Sequence, residues 1–396
     1  MSTISRIIFF RETPLRYEEC QRLLGVDLLK KHGYIVEIWD VSLLVFPGLN
    51  KDDRSVMECD EGRFFSTKED LYNEISTLSN RDFVISFLFY NVNDFWIYRQ
   101  MSRSKSDYAI IATNARPNSH VKLSNAFFKI GGNFPKNFRT LFNFILRKIP
   151  YRLLGVIPPK LLIAGSIKSV EANKLPVDSN TEIVWTHDLN YDHYIRSTVK
   201  GNKKTIYCKE KYIVFLDQYL PFHLDFSIAN NGVKINPEKY YGSLRRYFDH
   251  LNKTTGFDII VAAHPSSEYE NSSRYFNGYD VFKNRTADLV ANCEFVLLHY
   301  SSSIVLPILY KKPMMFLTNN LLKAMPLGST IESVACYFNL EAVNIDLNLY
   351  KKSSERHLAL DEYKYKEYKE QYIKSRNSPS LYFWSIVANK LKSLNL

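Results

Sequence analysis

Long apolar runs are missing from this chain of 396 residues, and none reaches the length that a membrane-spanning helix needs. Its first residues, MSTISRIIFF, lack the extended apolar stretch and the small-residue cleavage site of a secretory signal. The expectation is a cytoplasmic protein, peripheral at most on the inner face of the membrane. Cysteine is scarce: Cys20, Cys59, Cys208, Cys293 and Cys336 are scattered, odd in number and without a CxxC pair. That pattern excludes a disulfide framework and a zinc knuckle, and it suits a reducing compartment. With Gly 14 and Pro 15, collagen-like and low-complexity architectures are excluded as well.

Several motifs that carry chemistry are also absent. No GxGxxG follows the first apolar run and no GxxxxGK[ST] phosphate loop occurs, which argues against dinucleotide binding and P-loop chemistry. The sequence has no GxSxG elbow and no HExxH pair. A DxD-type site is missing too, since Asp52-Asp53 stands alone in a polar stretch. No cofactor is implied, and a metal-free mechanism is expected.

What is present fits a folded protein of two domains, with 45% apolar and 23% charged residues. Strand-like runs are read at Arg6–Phe10, Ile35–Trp39, Phe83–Phe89, Tyr108–Thr113, Leu161–Ala164 and Glu182–Thr186. Tyr17–His32 carries a helical stripe that ends at Gly33. After a polar stretch at Ser197–Thr205 the rhythm restarts with Tyr212–Leu216, Asp258–Ala263, Phe295–His299 and Met314–Leu317 as strands. Pro237–Thr255, Thr286–Asn292 and Ile304–Tyr310 read as the intervening helices. Strands separated by helices predict parallel sheets covered on both faces, here two of them. The expected division is 1–200, 201–380, and a last helix at 381–396 that returns to the first domain or stands apart.

The formal charge is +11, which calls for an acidic partner. Between Tyr108 and Val170 there is no Asp or Glu, while Arg116, Lys122, Lys129, Lys136, Arg139, Arg147, Lys148, Arg152, Lys160 and Lys168 all fall there. Pro135–Ile149 reads as an amphipathic helix. Docking on anionic lipid would use such a segment, and so would a core helix with a solvated basic face. No RNP, helix-turn-helix or zinc-finger pattern supports nucleic acid as the partner.

Three candidate positions follow strands in the second half, at the carboxyl ends where open α/β sheets bind ligands. Asp217 closes the run YIVFL and can take a proton from a substrate hydroxyl, although Asp in that place also caps turns. His223 and Asp225 follow it. His264-Pro265 closes DIIVAA; the proline holds the histidine extended, and its imidazole can donate to phosphate or carboxylate oxygens. His299-Tyr300-Ser301-Ser302-Ser303 precedes a helix, where hydroxyls and free N–H groups can hold phosphate or a single serine can cap. His187, Asp188 and Asp192, before the domain junction, form either part of a cleft or a structural cluster.

Taken in order, the acid, the His-Pro and the serine run resemble the bacterial GT-B sialyltransferases, polysialyltransferases and Kdo-type transferases. The runs WTHDLNYDHY, VFLDQYLPFHLDF, AAHPSSEY and LLHYSSSIVLPILYKKPMMFLT are similar to surface-carbohydrate biosynthesis proteins over about residues 180 to 320. The resemblance implies two Rossmann-like domains facing across a cleft and an inverting glycosyltransferase of lipopolysaccharide O-antigen or capsule. It implies Asp217 as base, His264 and Pro265 at the donor, and His299, Ser301, Ser302 and Ser303 around its phosphate. The donor implied is a CMP-activated acidic sugar, and the acceptor a glycan or lipid-linked glycan. The acidic motif departs from that group, which has two acids and a glycine where this chain has Asp217-Gln218-Tyr219. A UDP-, GDP- or dTDP-sugar donor is the alternative, followed by pyruvyl or phosphoryl transfer and by a non-catalytic glycan-binding protein.

Overall fold

The computed structural model describes residues 3–13, 20, 23–46, 60–117, 142–146, 148–172, 174–199, 211–223, 234–269, 275–347 and 360–395. Asp225, and most of the expected helix Pro135–Ile149, lie outside the described residues. The apolar runs become two parallel sheets. The first joins β1 (Arg6–Arg11), β2 (Ile35–Asp40), β3 (Gly62–Phe64), β4 (Asp82–Ser86), β5 (Asp107–Ala112), β6 (Leu161–Ala164) and β7 (Glu182–Trp185). Its order is β3-β2-β1-β4-β5-β6-β7, with every neighbouring pair parallel.

The second sheet joins β8 (Tyr212–Leu216), β9 (Asp258–Ala263), β10 (Asp280–Lys283), β11 (Val296–Leu298), β12 (Met314–Thr318) and β13 (Val343–Asn344). Its order is β10-β9-β8-β11-β12-β13, again all parallel. The chain therefore winds outward from β8 in one direction, then returns and winds from β11 in the other. That is Rossmann-like connectivity, and the reversal between β8 and β11 is the topological switch point of the sheet.

The chain divides into two compact units. The first comprises Met1–Ala115, Val121–Leu189 and Lys374–Leu396; the second comprises Arg116–His120 and Asn190–Ile373. The boundary thus falls about a helix earlier than the expected 200/201, because Tyr191–Val199 forms a helix of the second unit. The first sheet is covered on both faces by separate apolar clusters, and the second unit has one large cluster of its own.

The last helix, Phe383–Ser393, belongs to the first unit and buries Phe383, Trp384, Val387 and Leu391 there. The Trp384 ring meets Phe9 edge-on at 5.2 Å, and its indole N–H donates to the Leu23 carbonyl at 2.8 Å. Burial of a side chain of this size is worth roughly 2–3 kcal/mol. The same ring interrupts the helix expected over Tyr17–His32. Gly25 stands in front of it at φ 59°, and a Cβ there would lie 2.4 Å from the Trp384 ring, so helix continues only as Val26–Lys31. Among the described residues no helix is long and apolar enough to cross a membrane.

Candidate functional site at the switch point of the second sheet

Strands β9, β8 and β11 are neighbours and parallel, so their carboxyl ends lie side by side. The residues that follow them are His264-Pro265, Asp217-Gln218 and His299 to Ser303. Three motifs remote in sequence are therefore delivered to one sheet edge, around the point where α/β sheets bind ligands.

Asp217 is 4% exposed and surrounded by donors. Its Oδ2 accepts from the Tyr269 hydroxyl at 2.7 Å and from the His264 N–H at 3.5 Å, and its Oδ1 accepts from the Tyr219 N–H at 3.0 Å. Burial pushes the Asp217 carboxyl up to about 6, against the pull of those hydrogen bonds. The Tyr269 hydroxyl is bonded in turn to that of Tyr241 at 2.9 Å. A carboxylate offers about four acceptor positions, and three donors occupy this one. Asp217 is thus buried in the turn that it organises, where it holds the His264 backbone N–H. Tyr219, held at φ 52°, completes that turn in a conformation rarely adopted by a side chain of its size.

His264 is half-buried, and its Nδ1 accepts from the Ser266 N–H at 3.1 Å. The neutral ring therefore carries its proton on Nε2, as a donor. Pro265 opens the turn that Ser267 N–H closes onto the His264 carbonyl at 2.9 Å. The His223 ring lies beside that of His264, with centroids 4.8 Å apart and planes at 65°. Among the described residues, His223 Nδ1 has no hydrogen-bond partner.

Gln218 was not singled out by sequence, yet it ties the switch point together. Its Nε2 donates to the Tyr300 carbonyl and its Oε1 accepts from the Tyr300 N–H, both at 2.6 Å, so one side chain bonds the backbone across from β8 to β11. Arg116 joins the same place, donating from Nη1 to the Tyr300 carbonyl at 3.0 Å with its guanidinium 4.4 Å from the Tyr300 ring centroid. Replacing Gln218 by leucine strands the half-buried Tyr300 N–H and leaves its carbonyl to Arg116 alone, and is expected to lower stability by about 2 kcal/mol. Urea unfolding of the variant against the parent measures this.

The serine run divides by role. Ser301 is buried, and its Oγ accepts from the Ser303 N–H at 3.2 Å as a cap. Ser302 is exposed and Ser303 half-buried, at the start of a 3-10 turn, Ser302–Ile304, that leads into the helix Val305–Leu309. His299 is a correction to the expected donor set. It is fully buried, packs against Phe215 and Tyr240, and donates from Nδ1 to the Leu317 carbonyl at 2.7 Å. Burial pushes it down to about 4, so it is a neutral core residue beneath the motif.

His187 and Asp188 are corrections as well, being buried in the first unit. The His187 ring nitrogens bond the Asp188 and Leu381 carbonyls, both at 2.9 Å, and its ring packs against Phe383. It anchors the returning C-terminal segment. Asp192 stands in the first turn of the helix Tyr191–Val199, in the other unit. The first sheet has its own switch point after β1 and β4, where Arg11 and Glu12 stand, a pair the motif search did not reach.

No family model matches the chain, and no curated protein matches it. Among solved structures it is similar to the wall teichoic acid polymerase TagF in a CDPG soak, with 11% identity over 99% of this chain and 89% of that one, and a TM-score of 0.51. Its fold is GT-B. Structures with lower scores include S. aureus MnaA with UDP, at 14% identity over 99% and 97% of the two chains with a TM-score of 0.48. The UDP-GlcNAc 2-epimerase of Methanocaldococcus jannaschii, in complex with UDP-GlcNAc and UDP, has 12% identity over 98% and 99%, with a TM-score of 0.49. At such identities the likeness concerns the GT-B fold alone, and it does not single out the CMP-dependent group among its members.

Proposed function

We propose that this chain is a glycosyltransferase of bacterial surface polysaccharide that takes its sugar from a nucleoside-diphosphate donor and acts without a metal ion. The observation that carries the reading is the convergence at the ends of β9, β8 and β11: an imidazole whose backbone is held by a buried acid, the hydroxyls of Ser302 and Ser303 and a guanidinium gather where an α/β sheet holds a ligand. In this reading His264 donates from Nε2 to the donor phosphate, and Ser302, Ser303 and Arg116 complete its surroundings. An acceptor hydroxyl attacks the anomeric carbon and the bond to the phosphate oxygen breaks. The nucleotide leaves with the electron pair, and His223 takes the hydroxyl proton. Fixed donors aimed at the departing charge are often the largest catalytic contribution.

The preference for a diphosphate donor over a CMP-activated acidic sugar follows from Asp217. The CMP reading rests on the resemblance to the sialyltransferase group, whose acidic motif has two acids and a glycine where this chain has Asp217-Gln218-Tyr219, and Asp217 is here buried among donors. The acceptor is a glycan or lipid-linked glycan presented at an anionic membrane face. Isothermal titration of the intact chain with UDP, GDP, dTDP and CMP tests the proposal. Binding of one of the diphosphates, weakened by His264→Ala, supports it. Binding of CMP alone returns the acidic-sugar reading, and a chain that binds none of them is not a nucleotide-sugar enzyme.

A further inference from the structure

The first unit presents a surface that the transfer site does not use. Phe142, Phe144, Ile145, Ile149, Leu153 and Ile157 are all between 37% and 80% exposed, within one short stretch of chain. Their backbone is not loose. Leu146 and Val156 are buried between them, the Asn143 side chain accepts from the Val92 N–H at 2.8 Å, and the Ile157 N–H donates to Ser102 Oγ at 2.8 Å. The Tyr108 hydroxyl also donates to the Ile157 carbonyl. A fixed backbone therefore holds large apolar side chains out toward solvent, a costly arrangement in a monomer unless the patch has a partner.

Charge says which partner. No Asp or Glu occurs from Tyr108 to Val170, and exposed Lys148, Arg152 and Lys160 stand along the patch. Lys148 lies 4.9 Å from the Phe144 ring centroid. The acids that approach from outside the segment, Asp178 and Asp107, are each already bonded to a cation of it, Arg152 and Lys160, both at 2.6 Å. Apolar side chains among cations, in a segment with no acid of its own, match the boundary between acyl chains and anionic headgroups.

We propose that residues 142–146 and 148–160 form a docking surface for an anionic lipid bilayer, with Phe144 and Leu153 entering the acyl boundary and Lys148 meeting headgroup phosphates. It deepens the membrane-side acceptor of the preceding section but stands on different residues in a different unit. The test is co-sedimentation of the intact chain with vesicles of phosphatidylcholine alone and of phosphatidylcholine and phosphatidylglycerol in equal parts. Binding is expected to the mixed vesicles only, and to weaken with added salt. Replacing both Phe144 and Leu153 by serine should lower partitioning by about tenfold or more, and Lys148→Gln by about fivefold. The replaced side chains are exposed, and circular dichroism of each variant confirms that it folds. Absence of binding, equal binding to neutral vesicles, or unchanged binding by the double variant overturns the proposal. So does a vesicle-free dimer that the double variant dissolves, which would make the patch an interface between copies. Nucleotide titration reads the other unit, so failure of docking and failure of the transferase reading are distinguishable.

Discussion

Replacement of His264 by alanine is expected to lower kcat/KM for sugar transfer by about 10²- to 10³-fold, the range seen when one fixed donor to a developing negative charge is removed. The argument rests on the tautomer. Ser266 N–H occupies Nδ1 at 3.1 Å, so the neutral ring carries its proton on Nε2. Asp217 holds the His264 backbone through its N–H at 3.5 Å, and the Ser267 N–H holds its carbonyl at 2.9 Å, so little reorganisation is needed when charge develops. A donor that grips the phosphate more tightly as it leaves acts mainly on kcat, whereas one that grips bound and departing phosphate equally acts on KM. Steady-state transfer kinetics separate the two. His264→Gln, which keeps an N–H donor without an ionisable ring, should recover part of the loss and flatten the pH profile. A folded His264→Ala enzyme with unchanged kcat/KM removes this residue from the site.

The parts of the architecture that were legible in the sequence are those with an uninterrupted physical signal. β1, β2, β4, β5, β6, β8, β9, β11 and β12 are interior strands of parallel sheets and appear as apolar runs. The strands not anticipated are β3, β10 and β13, each at a sheet edge, short and mixed in polarity. An edge strand buries less and pairs on one side, so its residues need less pattern, and of the four edge strands only β7 was anticipated. The helix expected over Tyr17–His32 is broken by Trp384, a contact that crosses nearly the whole chain and leaves no local trace apart from Gly25.

The candidate site divides in the same way. Position was readable, because residues that follow neighbouring parallel strands share one edge of the sheet, and Asp217, His264 and Ser301 to Ser303 do assemble there. Accessibility was not. Whether an acid or an imidazole after a strand points to solvent or into the core depends on aromatic residues brought from elsewhere. Tyr269 and Tyr241 close over Asp217, and Phe215 and Tyr240 enclose His299. Gln218 escaped notice because a lone glutamine carries no motif, and its function lies in matching the backbone of Tyr300.

Asp217→Asn separates a positioning acid from a catalytic base, and it does so in two independent measurements. The carboxyl is raised from the ordinary 3.8 to about 6, so the folded chain holds this proton more tightly than the unfolded chain does. A group raised in this way stabilises the fold most when protonated, and that contribution is lost as pH rises through about 6. The difference between the two values corresponds to about 3 kcal/mol. Asparagine does not titrate, so the stability of the parent relative to Asp217→Asn should fall by about that amount between pH 4 and pH 7, with the asparagine form gaining ground at neutrality. Chemical denaturation at both pH values reads this, and taking the difference between the two proteins cancels every other titrating group. In transfer assays the same variant should retain activity within about tenfold, since asparagine still accepts from the Tyr219 or His264 N–H, whereas loss of a general base costs about 10² to 10⁴. A loss of that larger size in a folded protein would restore Asp217 as the base and require its carboxylate to reach the acceptor. A stability difference independent of pH would mean that the carboxyl is solvated, and the buried turn on which the placement of His264 depends would go with it.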